Sequence, residues 1–261
     1  MRGRSTGRFA ATAVVATVLL GTTTGAGASA TPSVPPVVQS YFRALAAAST
    51  RAVPVAVRAS EPGSPARKLA LHNVALLQVG AAAHQRSPAG TVRVAGPVVL
   101  ICPTRRARRS ACLTFRDFTL SARHRLVTFT TPNGPLADRV RLGGGASAPI
   151  TGPAGTLATI HLYSALESSS DDLVVVVSVT AGPVQATPGT VQVNFPLGTY
   201  VRPDGTTARP DLEVSTPTPR DGTLRGVFSF PSSQFGGHLV LTTTGQPPSP
   251  ALAGTGALPV G

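Results

Sequence analysis

Leu173-Val174-Val175-Val176-Val177-Ser178-Val179-Thr180 is the stretch on which the fold turns. β-Branched side chains fit a pleated strand, and an apolar run without alternation fits a strand covered on both faces. The segment is read as a central strand. On either side of it, Leu157–Leu166, Val191–Phe195, Thr199–Arg202, Leu212–Ser215, Leu224–Phe230 and His238–Thr243 read as further strands. Turn signals separate them: Pro203-Asp204-Gly205, Pro219-Arg220-Asp221-Gly222 and Gly236-Gly237. This spacing over 156–245 predicts an all-β sandwich, and the Trp and cysteine pair of antibody domains do not occur in it.

Before the sandwich, Gly143-Gly144-Gly145-Ala146-Ser147-Ala148-Pro149 reads as a flexible connector within a linker at 143–155. Residues 31–142 have a different pattern. A helix is expected at 33–48, where Pro35 and Pro36 suit a helix start. Residues 49–63 read as extended, with a strand at Val53–Val57. A second helix is expected from Pro65 to Gln85, capped by Ser64. Strands then follow at Thr91–Ala95, Pro97–Cys102, Cys112–Leu120 and Arg125–Thr131, a turn at Pro132-Asn133-Gly134-Pro135, and a closing segment Leu136–Arg141. Helices followed by an antiparallel sheet predict an α+β domain with the helices packed on one sheet face. The Pro- and Gly-rich tail 246–261 reads as disordered.

The first 30 residues have the three-part layout of a secretory leader. Arg2, Arg4 and Arg8 form a basic start, Phe9–Leu20 is apolar, and Ala28-Ser29-Ala30 offers a small-residue cleavage site. The apolar run is shorter than the about 20 residues of a spanning helix. The expected mature chain is Thr31–Gly261, secreted or associated with the cell envelope, without a transmembrane segment.

The net charge of +13 is unevenly placed: residues 31–141 hold 16 basic and 3 acidic side chains, and 142–261 hold 4 and 7. Lys68 is the one lysine, so the arginine excess reads as base-composition bias in a GC-rich bacterium. No nucleic-acid motif accompanies it, and nucleic acid is not an expected partner. Anionic cell-envelope polymers, or another envelope protein, suit the basic half better. Arg105, Arg106, Arg108 and Arg109 crowd one loop and are the local candidate for anion binding; the alternative is a solvated hairpin tip.

Cys102 and Cys112 are the two cysteines, and in an exported chain two thiols pair. Their bridge would clamp two strand ends across the loop 103–111, which stabilises by roughly 2–3 kcal/mol in the loop-entropy model. The alternatives are free thiols or a zinc site, and zinc would need further Cys or His at ligand spacing.

Catalytic signals are sparse. His72, His84, His124, His161 and His238 do not fall at metal-ligand spacing on one element, and Asp171-Asp172 reads as a turn before a strand. No nucleophile elbow, phosphate loop or dinucleotide fingerprint occurs. Asp117 with His124 is the pair that folding could bring together for acid–base work, as in a hydrolase with an unrecognised site. No cofactor and no metal is expected.

Asp172–Thr180, the Tyr200–Thr206 hairpin, Gly226–Pro231 and Gly237–Leu241 resemble the telokin-like, immunoglobulin-like sandwiches of secreted actinobacterial proteins. That resemblance implies an extracellular interaction or scaffolding module without catalytic residues. The N-terminal half, through Tyr41-Phe42-Arg43, Leu113–Phe118 and Leu126–Phe129, resembles the cone-shaped nuclear-transport-factor-like fold, one helix short. That resemblance implies an apolar pocket between sheet and helices. Leu252-Ala253-Gly254-Thr255-Gly256 is similar to a sortase signal but lacks the apolar span that sorting needs. The expected function is a non-enzymatic binding or structural module at the bacterial cell envelope; the alternative is a carrier of a small apolar ligand in the N-terminal domain. One consequence is direct: intact mass should rise by two hydrogens on reduction, and an unchanged mass would remove the Cys102–Cys112 bridge.

Overall fold

The computed structural model describes residues 33–104, 112–182, 197–216, 223–243 and 253–261. The expected leader, the four loop arginines, the strand expected at Val191–Phe195 and the turn expected at 219–222 lie outside these residues.

Helix α1 (Pro36–Ala46) starts at the expected prolines. Helix α2 (Val53–Ala59) replaces the expected strand. Pro54 sits in its first turn, where no N–H is needed, and Val53 and Ala56 are buried. Helix α3 (Pro65–Ala82) begins as read, with Ser64 Oγ accepting the Arg67 N–H at 3.2 Å. The first sheet follows in meander order: β1 (Gly90–Ala95), β2 (Val98–Pro103), β3 (Leu113–Leu120), β4 (Leu126–Thr131) and β5 (Gly134–Pro135). A short helix α4 (Leu136–Arg139) leads into β6 (Val140–Leu142).

The second sheet comprises β6, β7 (Ser147–Gly152), β8 (Gly155–Glu167), β9 (Leu173–Ala181), β10 (Leu197–Val201), β11 (Thr207–Ala208), β12 (Leu212–Ser215), β13 (Thr223–Phe230), β14 (Gly237–Thr243) and β15 (Gly254–Val260). Its order is β11-β10-β14-β15-β7-β8-β9-β13-β12, with β6 also paired to β8. As read from sequence, β9 is central, flanked by β8 and β13.

The expected α+β domain followed by an immunoglobulin-like sandwich is not what the chain forms. Strands hold 48% and helices 21% of the described residues, so the protein is mostly β, and the second sheet is one continuous curled half-barrel rather than two facing sheets. The two segments expected to lack structure make it continuous. Linker residues become β7, paired along β8, and tail residues become β15, paired along β14 and touching β7 at Thr255–Thr151. In β15 inward Gly256, Leu258 and Val260 alternate with outward residues. At Gly256 a Cβ would collide with Pro149 O, so only glycine allows β7 to come this close. Residues Thr31–Gly261 form a single compact unit.

Three apolar clusters hold it together. Inside the curl, Ile160, Val175, Val177, Tyr200, Phe228, Phe230, Leu239 and Leu258 are buried together. Under the small sheet, Phe42 lies 4.7 Å from Phe115 and 5.0 Å from Phe129, with Tyr41, Leu69, Leu126 and Leu136 around them. The third cluster joins Ala75 and Val79 of α3 to Val176, Val214 and Val227 on the outer face of the curled sheet.

Where the curl brings the ends of the large sheet together, Tyr200 of β10 lies 5.5 Å from Phe230 of β13. A Cβ on Gly198 would run into the Phe228 ring. Gly198→Ala should therefore cost about 1–3 kcal/mol through overpacking, read as a lower urea midpoint; an unchanged midpoint would mean that β10 and β13 do not meet.

Candidate functional site

The inward residues of β2 and β3 alternate along each strand. Val99 pairs with Phe115 and closes the core; Ile101 pairs with Leu113 one step further out. Around that rung lies an open cavity of about 390 Å³. Its walls are Leu45 and Ala46 from α1, Leu69 and Asn73 from α3, Pro88-Ala89-Gly90, Ile101 and Pro103 from β2, Leu113 and Phe115 from β3, and Leu136 from α4. Leu166 closes it from the far end of β8. Leu113, 37% exposed, stands at its mouth. The size is that of a small-molecule site, and an apolar lining with a few polar groups is the usual composition.

The polar groups gather at one end, on Thr131, Arg139, Glu167, Ser168 and Ser169. Arg139 Nε donates to Asn133 O at 2.9 Å, and its Nη1 lies 4.0 Å from Glu167 Oε2. Glu167 Oε1 accepts the Phe235 N–H at 2.8 Å. Asn133 Nδ2 donates to Ser169 O at 3.0 Å and to Asp171 Oδ1 at 2.8 Å, fixing the turn that carries the serines. Asp171 occupies a left-handed conformation in that turn (φ 60°), just before β9, which is where Asp171-Asp172 was placed by sequence.

Cys102 and Cys112 are disulfide-bonded. The bridge joins the end of β2 to the residue before β3, and its neighbours Ile101, Pro103 and Leu113 all line the cavity. Among the described residues no group of three or more His, Cys, Asp or Glu side chains is placed to hold a metal. Among them also, no helix is long and apolar enough to cross a membrane.

The histidines divide. His84 follows α3 in a left-handed conformation (φ 58°), and His161 and His238 lie in strands. Asp117 is ion-paired to Arg116 at 3.5 Å, and His124 sits in the turn between β3 and β4; among the described residues no hydrogen bond joins Asp117 to His124. His72 is the informative one. It is 1% exposed, and its Nδ1 is hydrogen-bonded to Ser164 Oγ at 2.9 Å, with Ser164 at 0%. A bulge between Leu162 and Ser164 in β8 creates this contact. Before it, even-numbered residues face the curl; after it, Ala165 does, and Ser164 is turned toward α3. Sequence reading missed the pair because its members are 92 residues apart. The visible trace is the break in alternation at Leu162-Tyr163-Ser164-Ala165.

A serine bonded to a histidine has the components of a nucleophile and its base. This one is sealed between α3 and β8, and neither residue lines the cavity. No family model, curated protein or solved structure matches the chain, so the functional reading rests on these residues alone.

Burial lowers the His72 pKa from 6.5 to about 4. The unfolded chain then takes up the proton first, so stability that is complete above pH 6.5 is lost as the pH falls toward 4. The loss should total roughly 3 kcal/mol. Urea midpoints measured across this window should fall for the native protein and flatten for His72→Gln; parallel profiles would assign the effect elsewhere.

Proposed function

We propose that this protein is an exported, non-enzymatic carrier of a small apolar ligand, working at or beyond the cell envelope. The observation that carries the reading is the 390 Å³ cavity walled by Leu45, Leu69, Ile101, Leu113, Phe115 and Leu136. A cavity with this lining is held open only where surrounding structure prevents collapse, and here α1, α3, the small sheet and the end of β8 each contribute a wall. Export is supported by the leader pattern of residues 1–30 and by the disulfide, since such bonds persist in oxidising compartments. The non-catalytic part of the reading draws on the missing catalytic motifs and on the seal around Ser164.

The test is direct binding of an apolar fluorophore to the purified full chain, with native mass spectrometry of protein taken from its source. Leu113→Trp, at the mouth, should weaken binding about tenfold or more while leaving the melting temperature within a few degrees, as for a surface substitution. Tyr163→Ala, on the exposed strand face of β8, should leave binding unchanged. A protein that binds no apolar probe would overturn the reading.

A further inference from the structure

At the polar end of the cavity Arg139 has hydrogen-bonding capacity to spare. A guanidinium has five N–H donors and accepts nothing. Arg139 uses Nε fully, on Asn133 O at 2.9 Å; its Nη1 reaches Ser168 O only at 3.5 Å and Glu167 Oε2 at 4.0 Å. Its Nη2 has no partner among the described residues. Glu167 has one oxygen committed to the Phe235 N–H. The other oxygen, Oε2, stands 4.0 Å from Arg139 Nη1, and the unspent donors of Arg139 sit on a mostly buried side chain whose orientation is already fixed through Nε.

Resting on the reading of the cavity as an apolar-ligand site, we infer that the ligand is a single-chain carboxylate: its hydrocarbon lies against Leu45, Leu69, Ile101 and Phe115, and its head group is received by the Nη1–Nη2 edge of Arg139. An acceptor-rich, anionic head takes up the unspent donors in a fork that guanidinium and carboxylate share. A neutral alcohol satisfies one of them, and an ammonium meets Arg139 with the same sign. Among the described residues lining the cavity Arg139 is the one cation and Glu167 the one anion; with Glu167 beside Nη1, the partnerless Nη2 is the group left to receive the carboxylate.

The experiment compares laurate, dodecanol and dodecylamine on the purified full chain by isothermal titration calorimetry, with the same series on Arg139→Gln. Laurate should bind about tenfold or more tighter than dodecanol, the range of a charge-assisted hydrogen bond. In Arg139→Gln that preference should shrink to within about twofold while dodecanol binding persists. Equal binding of laurate and dodecanol by the native protein, or tightest binding of dodecylamine, would overturn the head-group assignment and leave the cavity reading standing. Failure of all three to bind would remove both. The native comparison decides the matter even if Arg139→Gln does not fold.

Discussion

Helix α3 has to bury apolar side chains in two directions at once, and the rest of the molecule is arranged around that requirement. Its first half gives Ala66, Leu69 and Ala70 to the aromatic cluster under the small sheet; its second half gives Ala75 and Val79 to the outer face of the curled sheet. Between them His72 is tied to Ser164. A helix buried this way shows no single apolar stripe. It also locks the two sheets into one body. Neither could be withdrawn without uncovering a row of valines on β9 and β13 or the aromatics Phe42, Phe115 and Phe129.

What the sequence made legible follows from how locally each signal is written. The strands β1 to β4 and β9, the proline start of α1, the Ser64 cap of α3, and the disulfide were each readable because a few neighbouring residues determine them. The Leu173–Thr180 stretch read correctly as a central strand since both its faces are in fact covered, one by the curl and one by α3. By contrast, Val53–Val57 has β-branched residues and forms a helix, because burial of Val53 and Ala56 against α1 and α3 outweighs a small local preference. The linker and the tail misled for a shared reason. Glycine and proline usually mark flexible chain, but in β7 and β15 they allow two backbones to approach closely. Nothing within either segment announces the other, so continuity of the large sheet was invisible.

The cavity was legible only as an analogy, and its chemistry less so. Ile101, Leu113 and Phe115 could be placed on strands from sequence, and Leu45 and Leu69 on helices. That they surround a space rather than fill it depends on how elements distant in sequence, α1, α3, the small sheet and the end of β8, are brought together. The polar end is assembled from residues 131–139 and 166–169, on either side of the expected domain boundary, so a reading that separated two domains could not combine them. The bulge in β8 matters here too: by shifting which residues face outward, it puts Leu166 under the cavity as well as Ser164 against His72.

The position of β15 bears on the order of events as the chain matures. It is an interior strand of the large sheet, with β14 on one side and β7 on the other. The hairpin of β8 and β9 can assemble from neighbouring residues, but the half-barrel has no continuous wall until 254–260 arrive. Pairings between such distant segments form slowly. A chain emerging from its N-terminus therefore stays open along this seam until β15 has been made.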